Sequence, residues 1–366
     1  MRRQYVVFII ITLLTFAMIS CTPRTNQQQV PDNTNPQSGQ QGNNQGDNNQ
    51  PMGDMASYYI YTANEDDASV SVINMATMQT TISVPVGQGP HNVQVTPDGN
   101  FVYVVENHDN SISAIDTNTN TITKTIKVGE GPSHIVFSPD SKVAYVSVAE
   151  MAENAGAETD DMSGMETKGN IYVINLENGS ITSKIPVGAM PHGLRMSPDY
   201  KYIYVANNDS NDVSVIDVAS NTVAKTIQVG EKPVQVALSP DNKLVFVTLS
   251  GENSVAVIDT ATQEVKQRIS VGTSPIQIFS TPDGKSMYVA NTGSNNISVI
   301  DTQTLSVITT IPAGDKAHGV VVSRDGKTAF ITNTGANSVT VVDVVTNNVV
   351  ETVPVGKGPN GVTIKE

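Results

Sequence analysis

The sequence predicts an all-β chain, a seven-bladed β-propeller of four-stranded antiparallel blades, on three observations. First, one phrase recurs seven times, and the residues closing its VSVID-like strands are Asn74, Asp116, Asn175, Asp217, Asp259, Asp301 and Asp343. Their spacing is 42 residues throughout, except for one interval of 59 between Asp116 and Asn175. Second, each repeat divides into four short runs rich in Val, Ile and Tyr, separated by Asn, Asp, Gly and Pro. Third, no segment after Ser57 carries the period of an amphipathic helix. A period near 40 built from short strands means a radial array, because one such unit cannot bury its own faces without neighbours on both sides.

The stretch Tyr202 to Asn242 illustrates a blade. Its four runs alternate with turn chemistry, and each reads as a strand. The cluster Ser239-Pro240-Asp241-Asn242 sets one turn, with proline fixing φ and aspartate able to accept from the backbone two residues on. The same cluster recurs at Thr96, Ser138, Ser197 and Thr281, whereas Ser323-Arg324-Asp325-Gly326 lacks the proline. The propeller begins at Ser57 with the second strand of a blade and ends at Glu366 with the first strand of one. Three N-terminal strands and one C-terminal strand are therefore expected to complete a single blade and close the ring. The Asp or Asn ending each third strand is expected to hold a turn rather than to act as an acid.

The segments YTANEDDASVSVIN, YVANNDSNDVSVID, YVANTGSNNISVID and FITNTGANSVTVVD resemble the repeats of the YVTN-type propeller family, over essentially all of Ser57 to Glu366. The resemblance implies the seven-bladed fold. It leaves function open, since similar propellers serve as surface proteins, as binders of proteins or nucleic acids, as lactonases and as propeller parts of exported oxidoreductases. The chain has no tryptophan and does not resemble a WD-repeat protein.

Ahead of the repeats, residues 1–20 read as a lipoprotein signal peptide. Arg2 and Arg3 precede an apolar stretch from Tyr5 to Ile19, and Met18-Ile19-Ser20 stands before Cys21, the only cysteine. The apolar run is shorter than the roughly 18 residues a spanning helix needs. Cys21 is the expected lipidation site, which leaves no thiol for a disulfide, haem attachment or nucleophile. Residues 21–56, rich in Gln, Asn, Gly and Pro, are expected to form a solvated tether. The expected location is the cell envelope, with the domain outside the cytoplasm, and Thr22 after the cysteine favours the outer membrane. The formal net charge of -14 becomes two units more negative once Arg2 and Arg3 are removed, which argues against nucleic acid as a partner.

In a four-stranded meander the head of the innermost strand and the loop joining strands two and three share a face. That face is expected to carry the ligand, through His91, Asn92, Glu106, His108, His134, His192, Gln235, Gln277, His318 and Asn360. Four of the five histidines stand at heads of inner strands, and His91, His108, His134 and His192 fall in three consecutive blades. The middle one of these carries the 17-residue excess, an acidic and Met-bearing insertion at about 150–169. Histidine and methionine suit zinc or copper, so His91, His134, His192, Met162 and Met165 are candidate ligands. The set falls short of the many histidines of copper-cluster propeller enzymes. From the lactonase resemblance, Glu106, Glu150 and His134 are candidates for acid-base chemistry. No phosphate loop, dinucleotide fingerprint or Ser-His-Asp elbow is present. The sequence thus favours a recognition or scaffolding module for a protein, glycan or small polar ligand over an enzyme. A metal-binding or redox-accessory subunit is the main alternative and a lactonase-like hydrolase the next.

Overall fold

The computed structural model describes residues 58–151 and 167–366. Cys21, the tether, Met162 and Met165 lie outside those residues. Among the described residues no helix is long and apolar enough to cross a membrane.

Seven four-stranded antiparallel sheets form the ring. Blade 1 takes its inner strand, Pro359–Lys365, from the C-terminal end of the chain and its outer three, Tyr59–Asn64, Ser69–Asn74 and Gln79–Pro85, from the N-terminal end of the propeller. Tyr59 pairs with Lys365 and Tyr61 with Thr363, which closes the ring as the repeat phase requires. Blades 2 to 7 follow in chain order, with inner strands Pro90–Val95, Pro132–Phe137, Pro191–Met196, Pro233–Leu238, Pro275–Ser280 and Ala317–Val322. Each inner strand touches the next around a central channel.

Second and third strands of the blades are buried along nearly their whole length, because each blade is sandwiched between two others. Alternation therefore gives way to continuous apolar runs such as FVYVV and VSVID. The core is accordingly divided into seven clusters, one between each pair of neighbouring blades. Outermost strands are largely exposed and anchor through one buried residue each, such as Ile126, Ile227 or Val353. The Asp closing each third strand caps a turn: the Asp116 carboxylate accepts from the N–H groups of Asn118 and Thr119 at 2.8 and 3.0 Å. Asn74 and Asn175 make the same contacts in their blades.

Two features shape the channel wall. The heads of the inner strands carry a register shift, so that in blade 3 Pro132 faces Val148 while Ile135 faces Val146. Both residues of the bulge, Ser133 and His134, thereby gain access to positions near the axis. The bulge N–H groups are caught by hydroxyls of the second strand in alternate blades. Ser147, Thr248 and Thr332 accept from His134, Gln235 and Gly319 and donate to the carbonyls of His192, Ile276 and Asn360 in the next blade. At Gly361 an added Cβ would stand 2.9 Å from the Asn92 Cα, so close approach of adjacent inner strands requires glycine there.

Candidate functional site

The bulged strand heads bring three histidines from blades 2, 3 and 4 together across the channel. One imidazole nitrogen from each of His91, His134 and His192 lies within 4.8 Å of the other two. His91 Nε2 and His192 Nε2 are 3.3 Å apart. That is about the edge of a tetrahedron whose metal–nitrogen bonds are roughly 2.0–2.1 Å. The His134 and His192 ring centroids are separated by 4.5 Å, and His318 from blade 7 stands 6.4 Å from His91. The buried Nδ1 of His318 has no hydrogen-bond partner among the described residues.

Surrounding groups fix the rings. His192 Nδ1 donates to the Val234 carbonyl at 3.1 Å, which leaves Nε2 as a lone pair toward the axis. His134 Nδ1 meets the Ser133 hydroxyl at 3.0 Å, and its Nε2 receives the Gln277 amide from blade 6 at 3.2 Å. His91 Nδ1 faces the Asn360 amide at 3.0 Å and the Glu65 carboxylate at 3.7 Å. Glu65 also accepts from Asn360 Nδ2 at 2.6 Å. Because the Asn360 amide N–H can only donate, His91 Nδ1 accepts and the ring proton lies on Nε2, toward the His192 Nε2 lone pair, so an ion binding between these two nitrogens would displace that one proton.

Electrostatics favour neutral, ligating rings. Burial, followed by the neighbouring histidines, pushes His134 well below the usual imidazole range. Burial and the His91 charge lower His192 to about 3, and the same causes lower His318 to about 3. The Glu65 carboxyl is lowered to about 2, chiefly by the facing His91 ring and also by Asn360, against the opposing effect of burial. An ionised carboxylate thus stands beside His91, while His134, His192 and His318 are held neutral.

Other residues expected on this face are placed differently. Glu106 is buried in the wall, accepting from the Gly87 N–H at 2.8 Å and the Ser111 hydroxyl at 2.7 Å. It occupies the slot held by Asn64, Asn207, Asn291 and Asn333 in other blades and is a structural acceptor. Glu150 lies at the base of the elongated hairpin of blade 3, where Val143–Met151 and Thr167–Asn175 extend past the length of the equivalent strands. Its carboxylate turns to Tyr172 and to Lys184 on the outermost strand. Burial opposes its ionisation, but these two partners outweigh that and hold it below the usual carboxylate range. Neither carboxylate contacts His134, so the acid-base set read from the sequence is not assembled. His108 is exposed and sits against Gly89, outside the histidine cluster. Gln235 is buried and accepts from the Val236 N–H, while Asn92 is buried beside the inner strand of blade 1.

Two functional candidates were missed. At the position of Glu65 four of the other blades carry donors, Asn107, Asn208, Thr292 and Thr334, each of which bonds the leading carbonyl of the next inner strand. An ionised carboxylate cannot do so, and that departure from the repeat was the legible signal. The second is Arg195. Five residues into the inner strands a ring reads Gln94, Val136, Arg195, Ala237, Phe279, Val321 and Thr363, with Arg195 its one charge. Burial lowers the Arg195 guanidinium to about 10, so it remains protonated at neutral pH. These residues lie at the end of the channel away from the strand heads, where Thr96, Phe137, Met196, Pro282 and Ile364 help to line a cavity of about 580 Å³.

The arrangement defines a seven-bladed propeller with a histidine-lined channel, open to a cavity at the opposite mouth. The chain belongs to the YNCE-like beta-propeller family, which matches residues 49–366. A search of curated proteins finds no match. Among solved structures, the chain is similar to Kuenenia stuttgartiensis hydrazine synthase, with 24% identity and a TM-score of 0.65 over 75% of this chain and 88% of that one. It is also similar to a functionally unknown protein from Desulfotomaculum acetoxidans, with 17% identity and a TM-score of 0.71 over 84% and 99% of the two chains. A third likeness is to the dihydro-heme d1 dehydrogenase NirN in complex with DHE, with 15% identity and a TM-score of 0.61 over 83% of this chain and 74% of that one. At these identities the likeness concerns the fold.

Proposed function

We propose that this protein is a binding propeller of the cell envelope that holds a divalent transition metal, zinc or copper, on His91, His134 and His192. The metal would face whatever partner or ligand docks at the strand heads. The observation that carries this reading is the convergence of three imidazoles from three blades, with ligand nitrogens within 4.8 Å. The neutral state of His134 and His192, the lone pair left on His192 and the Glu65 carboxylate near His91 support it. Three protein ligands leave a fourth position open, which suits exchangeable or substrate-accessible metal better than a closed structural site. Gln277 would release His134 Nε2 when the ion enters. The role is that of an accessory or scaffolding module rather than a hydrolase, since Glu106 and Glu150 are engaged elsewhere. Anchoring through a lipid on Cys21 would hold the domain near the membrane, and Cys21→Ser should release it to the soluble fraction.

The test is elemental analysis of the exported protein purified without chelator, beside a His134→Ala/His192→Ala variant. Near-stoichiometric zinc or copper in the parent and its loss from the folded variant supports the reading. Absence of bound metal after incubation with equimolar zinc or copper overturns it.

A further inference from the structure

Deep in the cavity at the mouth remote from the histidines, beyond the Glu366 carboxylate of its rim, stands a cation with no ion-pair partner. Arg195 projects from the inner strand of blade 4, and among the described residues no carboxylate lies within ion-pair distance of it. Its one side-chain bond is a long one, 3.3 Å from Nη1 to Gln94 Oε1 across the channel. The guanidinium lies over the Phe279 ring at 5.4 Å from its centroid. A deeply set cation is costly unless something neutralises it. Burial at the cavity lining leaves Arg195 partly accessible, so the missing counterion can arrive from solution.

We propose that this cavity binds a small organic carboxylate with an apolar body, its head on Arg195 and its body against Phe137, Met196 and Phe279. A guanidinium presents two parallel N–H groups that match a carboxylate, and a single buried cation is best balanced by a single negative charge. A doubly charged phosphate would leave a buried excess of negative charge. The apolar lining places the rest of the ligand, and a cavity of about 580 Å³ is of the size that holds small molecules. At the rim Arg324 and Lys365 stand with Glu366, whose carboxylate accepts from the Arg324 N–H, so the charge set deep in the cavity is that of Arg195. The site is separate from the histidine cluster and does not depend on a metal there.

The experiment is calorimetric titration of the metal-free full chain with 4-phenylbutyrate and octanoate, beside 4-phenylbutyramide and inorganic phosphate. We expect saturable binding of the carboxylates, at least tenfold weaker for the amide and for phosphate. Arg195→Gln should weaken the carboxylates at least tenfold. Gln94→Glu is the second variant: it places an isosteric carboxylate beside Arg195, keeps the fold, and should abolish binding by filling the site from within. No saturable binding of either carboxylate overturns the proposal. So does equal binding of the amide, tighter binding of phosphate, or undiminished binding by Gln94→Glu.

Discussion

Ser147 offers the sharpest test of how the channel is held together. Its hydroxyl accepts from the buried N–H of His134 at 3.0 Å and donates to the His192 carbonyl at 2.7 Å, joining blades 3 and 4 at the histidine level. Ser147 itself is fully buried. In Ser147→Ala the His134 N–H loses its partner, at a cost of about 1–3 kcal/mol for an unsatisfied buried donor, and the carbonyl loses a bond worth about 1 kcal/mol. The expected destabilisation is therefore about 2–4 kcal/mol, read as a lower urea midpoint with an unchanged slope. Ser147→Thr should recover most of it, because Thr248 and Thr332 make the same pair of bonds in blades 5 and 7. A loss below about 0.5 kcal/mol in the alanine variant, the range of ordinary surface substitutions, would refute the argument that this hydroxyl bears the bulge.

Four further outcomes are expected. His192 and His318 have folded-state pKa values of about 3, below the unfolded value of 6.5, so the unfolded chain binds more protons in acid. Stability is fully present above pH 6.5 and is lost as pH falls toward 3; at pH 5 the loss approaches about 2 kcal/mol per ring, less whatever channel water screens. Urea titrations of metal-free protein at pH 7.5 and 5 check this, and a His192→Gln/His318→Gln variant should reduce the difference, leaving the part that His134 contributes. Glu106→Asn should change stability by no more than about 0.5 kcal/mol, whereas Glu106→Leu leaves the Gly87 N–H and Ser111 hydroxyl unpaired and should cost about 1–3 kcal/mol by thermal unfolding. Glu65→Gln should weaken zinc binding about 10–100-fold by titration against a competing chelator, the usual effect of removing a carboxylate behind a ligating histidine. Deleting residues 359–366 removes the inner strand of blade 1 and should abolish cooperative unfolding, since the Tyr59–Asn64 strand and the blade 7 interface both lose their partner.

The repeat dictated the architecture because its information is local and redundant. Each repeat carries its own strand pattern and its third-strand Asp or Asn, five share the Pro-Asp turn, and seven copies agree on one arrangement. The phase of the first and last repeats determined how the ring closes, because the missing strand of one end is the surplus strand of the other. The strand-head positions of His91, His134, His192 and His318 were legible for the same reason. What the sequence could not supply was distance across the channel. Blades 2 and 4 are not neighbours in the ring, yet His91 and His192 meet because inner strands converge on the axis and bulges turn two successive residues toward it.

Glu106 and Glu150 show the converse. Both sit at the right heights in the repeat for a channel-mouth role, but whether a side chain points to the axis, into the wall or to the outer strand depends on which acceptor or cation lies beside it. Glu106 was claimed by Gly87 and Ser111, and Glu150 by Tyr172 and Lys184. Glu65 and Arg195 were visible as departures from the repeat, but only the closed ring put one behind His91 and the other, without a counterion, in a cavity. The sequence alone determined the number of blades, their strand content and the closure, because these follow from nearest-neighbour pairing along the chain. Only the tertiary structure decided the histidine cluster and the Arg195 cavity, because both are made by side chains of several blades, some of them not neighbours in the ring, that meet only where the inner strands converge on the axis.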